Sequence, residues 1–482
     1  MVIFKTRIVK RATRRPHNVR WRTGKGTKPH SEYYATPGQA KGQVAMLEFW
    51  RGKGVEFDME TGLPLPVLEE RKAKEQAQAE LEARTARMSV YEHLEEFAQY
   101  KWGKRSGNYH TAISDYARDI MVALLPPRPD WITPKALNLA LRNWAFNPSK
   151  NLDDADDLTI DILGWVEESS PPIDILSDLD VLSALLDEMT MKYEDRSYTV
   201  RIRASPKTFE KRKTLLLGAL NYAVIKDRLD ANPLHHPKLD WERPTGFRVV
   251  DELDEREVGD IEQAESMFAA VSYVWPTGLR YVAAFACEYY SVMRPEEVAN
   301  LRDYQCIFPP DEAGPDAWGD LDLDGALTYV GKDWTDDGQA HEARPLKGRA
   351  IGQVRHGIMP PPLVRYLKWH IATFGVQPDG RLFATPSGGP IVPGTMWLLW
   401  TLARAYGLGP VEQKRKVLKS PYMLRKSGIC LLLYLGVPPA EVAEIAGHTV
   451  EMLHRVYDKV IRKLQNKWRE RVGRFFKTRD LG

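Results

Sequence analysis

The sequence predicts a multidomain protein: a mostly α-helical middle, a mixed α+β C-terminal domain, and a small β-hairpin and helix unit at the N-terminus. Three observations predict it. A chain of 482 residues is too long for one hydrophobic core and fits two to four domains. The hydrophobic pattern has a helical period over residues 89–240 and becomes mixed from 261 onward. A stretch rich in proline and charge, 241–260, separates these regions as a linker would.

Residues 1–65 read as one small unit. Val19-Arg20-Trp21-Arg22, a turn from Thr23 to Lys28, and Ser31 to Thr36 form a hairpin with basic and aromatic strand positions. Pro37-Gly38 should break it, and a helix should run from Gln39 to Trp50. Residues 66–88, rich in Glu, Lys, Arg and Ala, read as a helical connector. Within 89–240, helices fit Tyr91 to Tyr100, Asn108 to Leu125 and Pro206 to Lys226. In the C-terminal domain, 261–482, helices fit 261–272, 277–290, 295–301 and Pro361 to Phe374, and strands fit Leu327 to Gly331 and Gln353 to Met359. Gly436 and Gly447 mark helix stops, and Pro438-Pro439 a helix start.

Composition excludes several classes. With 43% hydrophobic and 28% charged residues the chain reads as an ordinary soluble globular protein. Cys287, Cys306 and Cys430 lack any CxxC spacing, which argues against a zinc site or a disulfide framework and for a reducing, cytoplasmic compartment. The longest apolar run, Ile429 to Val437, is too short to span a bilayer, and no signal-peptide pattern is expected.

Charge is strongly segregated. Residues 1–30 hold ten Lys/Arg and no acid, whereas 151–191 hold twelve Asp/Glu and no base. Residues 192–213 and the tail 459–482 are basic again. Three basic blocks point to a polyanion partner rather than to solvated tails alone. On this reading Arg20, Arg22, Lys101, Lys207, Lys211 and Arg212 are candidate nucleic-acid contacts. The acidic segment reads as an inserted, solvated loop and helix on the surface.

The most informative pattern is C-terminal. Tyr422-Met423-Leu424-Arg425 is followed by Gly447-His448 and then by Arg455-Val456-Tyr457-Asp458, with Tyr457 nine residues after His448. Upstream lies Ser291-Val292-Met293-Arg294-Pro295-Glu296-Glu297, closing at Leu301. An arginine fork grips non-bridging phosphate oxygens, a ring nitrogen adds a donor, and a phenol can attack phosphorus to give a covalent phosphotyrosine. The plain alternative for Arg294 is a helix arginine paired with Glu297.

Taken together these boxes resemble the catalytic domain of the tyrosine recombinases, or phage-type integrases, with their "TGxRxxE…L", "HxxR" and "GH" boxes and a tyrosine nine residues on. Val19-Arg20-Trp21-Arg22, Thr61-Gly62-Leu63-Pro64, Tyr100-Lys101-Trp102 and Leu346-Lys347-Gly348-Arg349 resemble more narrowly the integrases of actinobacterial phages and integrative elements. The resemblance implies a tyrosine-recombinase catalytic domain at 261–482, a helical core-binding domain at 89–240 and an arm-type DNA-binding unit at 1–65. It implies a nucleoid-associated bacterial enzyme that cuts and rejoins double-stranded DNA attachment sites as a tetramer, through a 3′-phosphotyrosyl link and a Holliday junction. No cofactor and no metal are implied. An excisionase and a host DNA-bending factor are further partners it suggests, and the last helix, Ile461 to Lys477, would dock on a neighbour.

By the same resemblance the catalytic residues are Arg294, Lys347, Tyr422, Arg425, His448 and Tyr457. The family keeps a proton-donating lysine on a hairpin, for which Lys347 is favoured over Lys332. Tyr422 stands where the family usually has histidine. A phenol of pKa near 10 can donate to a phosphate oxygen but is a poor base at neutral pH. Two other readings stay open: a DNA-binding protein of this fold without strand transfer, and a type IB topoisomerase.

Overall fold

A computed structural model of the chain describes residues 7–10, 17–75, 88–103, 105–248, 253–274 and 276–460. Among these the protein is mostly helical, with small antiparallel sheets. It divides into two compact units, one of residues 1–93, 169–182 and 217–239, the other of 94–168, 183–216 and 240–482. No described helix is long and apolar enough to cross a membrane.

The first unit holds the sheet β1 (Arg7–Lys10), β2 (His17–Trp21), β3 (His30–Tyr34), all antiparallel. The sequence suggested only the β2–β3 hairpin; β1 adds a third strand by pairing Arg7 with Arg20 and Lys10 with His17. Val19 and Trp21 turn inward, and Arg20 is left exposed between them. Against them packs α1 (Pro37–Gly52), through Ala40 and Leu47. The hairpin ends before Pro37-Gly38 as expected, and α1 opens on that pair, two residues earlier than Gln39. Proline at the first turn gives up an N–H that the helix leaves unpaired anyway, and Thr36 and Gln39 close a capping box. Trp21 Nε1 donates to the Gly62 carbonyl at 2.6 Å, fixing the turn that leads into α2 (65–75). The rest of the expected connector (76–87), the basic residues Lys5, Arg11, Arg14 and Arg15, and the expected last helix fall outside the described residues.

Helices α3 (Val90–Trp102), α4 (Gly107–Leu124), α5 (Pro134–Ala140), α6 (Asp157–Ser169), α7 (Leu179–Met189) and α8 (Pro206–Ile225) follow, with a ribbon of β4 (Met191–Tyr193) and β5 (Arg201–Arg203) before α8. The chain passes between the two units within α3, at the last residue of α6, within α7, within α8 and after residue 239. The acidic segment is not the solvated excursion expected of it. Ile162, Leu163 and Val166 of α6 and Leu182, Leu185 and Leu186 of α7 are buried, so its carboxylates occupy outward helix faces. The start of the expected linker is packed as well: Trp241 stacks on Phe209 with centroids 5.3 Å apart, and its Nε1 donates to Asp187 at 2.9 Å.

The C-terminal part of the second unit begins with α9 (Ile261–Ser272), α10 (Gly278–Tyr290) and α11 (Pro295–Asn300), close to the expected spans. Then come β6 (Cys306–Ile307), β7 (Gly319–Leu323), β8 (Ala326–Tyr329), β9 (His341–Arg344) and β10 (Arg355–Met359). β7 lies between β10 and β6, and β8 pairs with β9 as a separate hairpin. The helices α12 (Pro361–Phe374), α13 (Pro393–Gly407), α14 (Pro410–Arg415), α15 (Tyr422–Tyr434), α16 (Pro439–Ala446) and α17 (450–460) complete it. From Tyr281 to Tyr290, α10 is buried on every side, packed by α9, α12 and α15. A fully buried Phe285 or Leu433 contributes about 1.5–3 kcal/mol, and this core is what holds α10 and α15 in fixed register.

The tip of the β8–β9 hairpin is tied to α4. His110 is 1% exposed, with Nδ1 3.0 Å from the Trp334 carbonyl and Nε2 2.8 Å from that of Trp102. Its ring stacks on Trp102 at 4.0 Å. The Asn147 amide donates to the Asp333 carbonyl at 3.1 Å, beside Lys332.

Candidate active site

After α10 the chain turns sharply through Ser291, Val292 and Met293, with Val292 at φ +45°. Arg294 then caps α11. Its backbone N–H donates to Glu297 Oε2 at 2.8 Å and its Nη1 to Oε1 at 2.7 Å, so the i,i+3 pair foreseen as the plain reading does form. Nothing in that pairing removes Arg294 from the site, because its Nη2 reaches the Gly447 carbonyl on a distant element.

Arg425 rises from the fourth position of α15 and is fully buried. Nη1 donates to the Val292 carbonyl and Nη2 to that of Ala446. The same Nη2 lies 3.0 Å from His448 Nε2. Arginine cannot accept, so Nε2 is the acceptor and the ring hydrogen is assigned to Nδ1. That Nδ1 is buried and meets no hydrogen-bond partner among the described residues.

Gly447 ends α16 at φ +61°, the left-handed stop that glycine permits. A Cβ there would lie 3.0 Å from Arg294 Nη1 and 3.1 Å from Arg355 Cδ, so the backbone must pass bare. Three successive carbonyls at this helix end each receive a different guanidinium. Ile445 takes Arg355, Ala446 takes Arg425 and Gly447 takes Arg294. A helix C-terminus carries orphan carbonyls and partial negative charge, which is why cations gather there. His448 follows directly and is thereby held at the arginine cluster.

Tyr457 lies on α17 and is 2% exposed. Burial, the Cys430 thiol and Tyr422 push its phenol well above the ordinary value, against the pull of Arg425. Tyr422, at the start of α15, is 42% exposed and is an electrostatic neighbour of both Arg425 and Tyr457. The Leu253 N–H donates to the Val456 carbonyl at 2.9 Å and so fastens α17 beside its nucleophile candidate. Burial, then Arg425, Arg294 and Arg355, bring the pKa of His448 down to about 3, so the ring is neutral near pH 7. Burial and then Arg294 lower Arg425 as well. Glu297 is raised by burial yet held below its ordinary value by Arg355, Arg294 and Arg425. Two or more guanidinium groups, a neutral imidazole with an unclaimed N–H, and a phenol suit an in-line attack on a phosphodiester.

Of the six expected catalytic residues, five meet: Arg294, Tyr422, Arg425, His448 and Tyr457. Lys347 is exposed on the turn between β9 and β10, and Lys332 is exposed after β8. Neither makes a hydrogen bond or ion pair to the cluster among the described residues. Arg355 was missed. The only signal for it was its place on the inward face of β10, alternating with Gly357 and Met359.

Arg20, Arg22, Lys207 and Lys211 are exposed, and Lys101 is partly so, its ammonium 5.0 Å from the Tyr100 ring centroid. Arg212 departs from expectation. It is 6% exposed, with Nη2 2.6 Å from Asp119 and Nη1 donating to the Met189 carbonyl at 3.0 Å, because α4 brings a carboxylate under the basic face of α8. Exposed Lys414, Arg415, Lys416 and Lys419, around α14 and just before α15, form a basic patch that sequence reading passed over.

No family model and no curated protein matches the chain. Solved structures to which the chain is similar include the Tn1549 transposon integrase with a circular-intermediate DNA, at 15% identity over 79% of this chain and 99% of that one, TM-score 0.49. XerH site-specific recombinase on its palindromic difH substrate shares 12% over 78% and 94%, TM-score 0.44. A lambda integrase dimer on a core site shares 11% over 92% and 91%, TM-score 0.41. At such identities and scores, activity rests on this chain's own side chains.

Proposed function

We propose that the chain is a site-specific DNA recombinase of the tyrosine type, integrating or excising a mobile element through a 3′-phosphotyrosyl intermediate and a Holliday junction. The observation that carries this reading is the meeting of Arg294, Arg425, His448 and Tyr457, from four separate elements, around the C-terminal end of α16. Arg294 and Arg425 neutralise the non-bridging oxygens as charge gathers on them in the pentavalent transition state; each such preorganised donor is worth about 3–4 kcal/mol. The Nδ1–H of His448 and the Tyr422 hydroxyl add donors. The Tyr457 oxygen attacks phosphorus, the 5′-oxygen departs, and Lys347 supplies its proton. His448 stays a neutral donor through Nδ1–H, its Nε2 being held by Arg425, and the phenol proton passes to solvent water as the Tyr457 oxygen attacks. In the second step a 5′-hydroxyl of the partner duplex attacks the phosphotyrosine and Tyr457 leaves, so the phosphodiester is conserved without ATP.

Residues 89–240 and 261–482 bind the core site in this proposal, residues 1–65 bind arm sites through Arg20 and Arg22, and four protomers assemble on two duplexes. Lys207, Lys211 and the patch from Lys414 to Lys419 supply phosphate contacts, so affinity falls steeply with salt. The burial of Tyr457 favours the second reading, a DNA-binding protein without strand transfer, unless α17 shifts on DNA. Nicked duplexes tiled across the DNA flanking the gene, incubated with the protein and run on a denaturing gel, separate the two. A covalent adduct supports the recombinase; specific binding with no adduct on any duplex supports the binder.

A further inference from the structure

Arg355 is a guanidinium buried at the base of the candidate site, 1% exposed, on a strand that otherwise presents Gly357 and Met359 to the core. Its Nη2 donates to Glu297 Oε2 and its Nη1 to the Ile445 carbonyl. Both outer nitrogens are thus taken inside the protein, and unlike Arg425 the group makes no hydrogen bond to His448. We infer that Arg355 is a positioning residue for the phosphate site: it holds Glu297 and the last turn of α16 so that Arg294 and His448 face one point.

The inference rests on the function proposed above and deepens it. Two physical arguments carry it. Glu297 bonds Arg294 through Oε1 and Arg355 through Oε2, so one carboxylate is shared by two forks. Without Arg355 the carboxylate is balanced within this trio by Arg294 alone, and the site loses one positive charge from the surplus that three arginines leave over one acid. The second argument is mechanical. Arg355, Arg425 and Arg294 take the carbonyls of residues 445, 446 and 447 in succession, and His448 is the next residue. Releasing the first of these three ties frees the corner on which His448 sits.

Stability alone explains the burial poorly. Exchanging a buried ion pair for apolar groups of similar volume is often neutral or stabilising. A structural filler would therefore be replaced by methionine with little loss, once Glu297 is also made neutral. A positioning residue would not.

The test uses the full chain with Arg355→Lys, Arg355→Met and the double variant Glu297→Gln/Arg355→Met. Thermal unfolding first shows which of them fold. Inorganic phosphate serves as the probe of the site, its affinity read by calorimetry, and the His448 imidazole is titrated by NMR without any ligand. The expected result is a folded Arg355→Lys and double variant that bind phosphate at least about tenfold more weakly. Their His448 midpoint rises toward its ordinary value of about 6.5. Where a duplex forms the tyrosyl adduct with the unaltered protein, Arg355→Lys slows it by about 10²-fold, as a misplacement near 1 Å can do. If Arg355→Met alone fails to fold, the other two variants decide. Folded variants with unchanged phosphate affinity and unchanged His448 titration overturn the inference. If the unaltered protein forms no adduct on any duplex, the proposed function falls, while the phosphate and His448 measurements still judge Arg355.

Discussion

The Arg425 guanidinium donates to the main-chain carbonyl of Val292, a β-branched residue held at φ +45°. Val292 is fully buried, and left-handed backbone at such a residue costs about 1–3 kcal/mol. The turn that carries Arg294 is therefore kept in its strained form partly by the second arginine of the site. Arg425→Lys tests this coupling. A single ammonium cannot reach Val292, Ala446 and His448 together as the fork does. The expected outcome is a loss of about 2–4 kcal/mol in denaturant unfolding and a drop of about 10²–10³ in adduct formation.

The contact between α10 and α15 beneath that turn is bare backbone. A Cβ on Gly428 would lie 2.0 Å from the Tyr289 carbonyl oxygen and 2.8 Å from Val292 Cγ1. Gly428→Ala must push the helices apart at the point where Arg425 crosses to Val292. It should destabilise the protein by about 3 kcal/mol, measured by urea unfolding, and weaken activity along with it.

His448 gives the acid side of the stability curve. Its pKa of about 3 in the folded protein lies below the unfolded value near 6.5. Between those pH values the unfolded chain binds a proton that the folded one refuses. Stability is thus fully present above about pH 6.5 and declines as pH falls toward 3. His448→Gln removes this contribution, and its melting temperature relative to the unaltered protein should improve as pH is lowered from 7 to 5.

Glu288, on α10, gives the opposite slope. It is fully buried, and burial raises its pKa to about 8, with Arg425 opposing and Glu296 adding to the rise. The folded state keeps a proton that the unfolded chain sheds near 4.5, so stability falls as pH rises from about 4.5 to 8, by on the order of 3–5 kcal/mol. Glu288→Gln should flatten that decline in melting curves taken from pH 5 to 8.

Much of the site was legible because its spacing is local. Arg425, His448 and Tyr457 lie within one stretch of helices, and the glycine before His448 is the helix stop it was read to be. Arg355 was hidden because its direction depends on β10 pairing with β7, whose sequence Gly-Asp-Leu-Asp-Leu did not read as a strand. Only that pairing turns Leu321 and Leu323 inward and sets Arg355 under α16. Arg212 was misread for a similar reason: a basic helix face cannot reveal that Asp119, nearly a hundred residues earlier in the chain, lies against it. In the acidic segment, counting carboxylates obscured the apolar stripes of α6 and α7.

Peptide mapping of a DNA-linked protein tests the central claim most directly. A nicked duplex that traps the intermediate is digested with the protein, and mass spectrometry finds the residue bearing the 3′-phosphate. The account predicts the peptide containing Tyr457, with the adduct absent in Tyr457→Phe. A phosphate carried by Tyr422 or any other residue, or an adduct that persists in Tyr457→Phe, would contradict it.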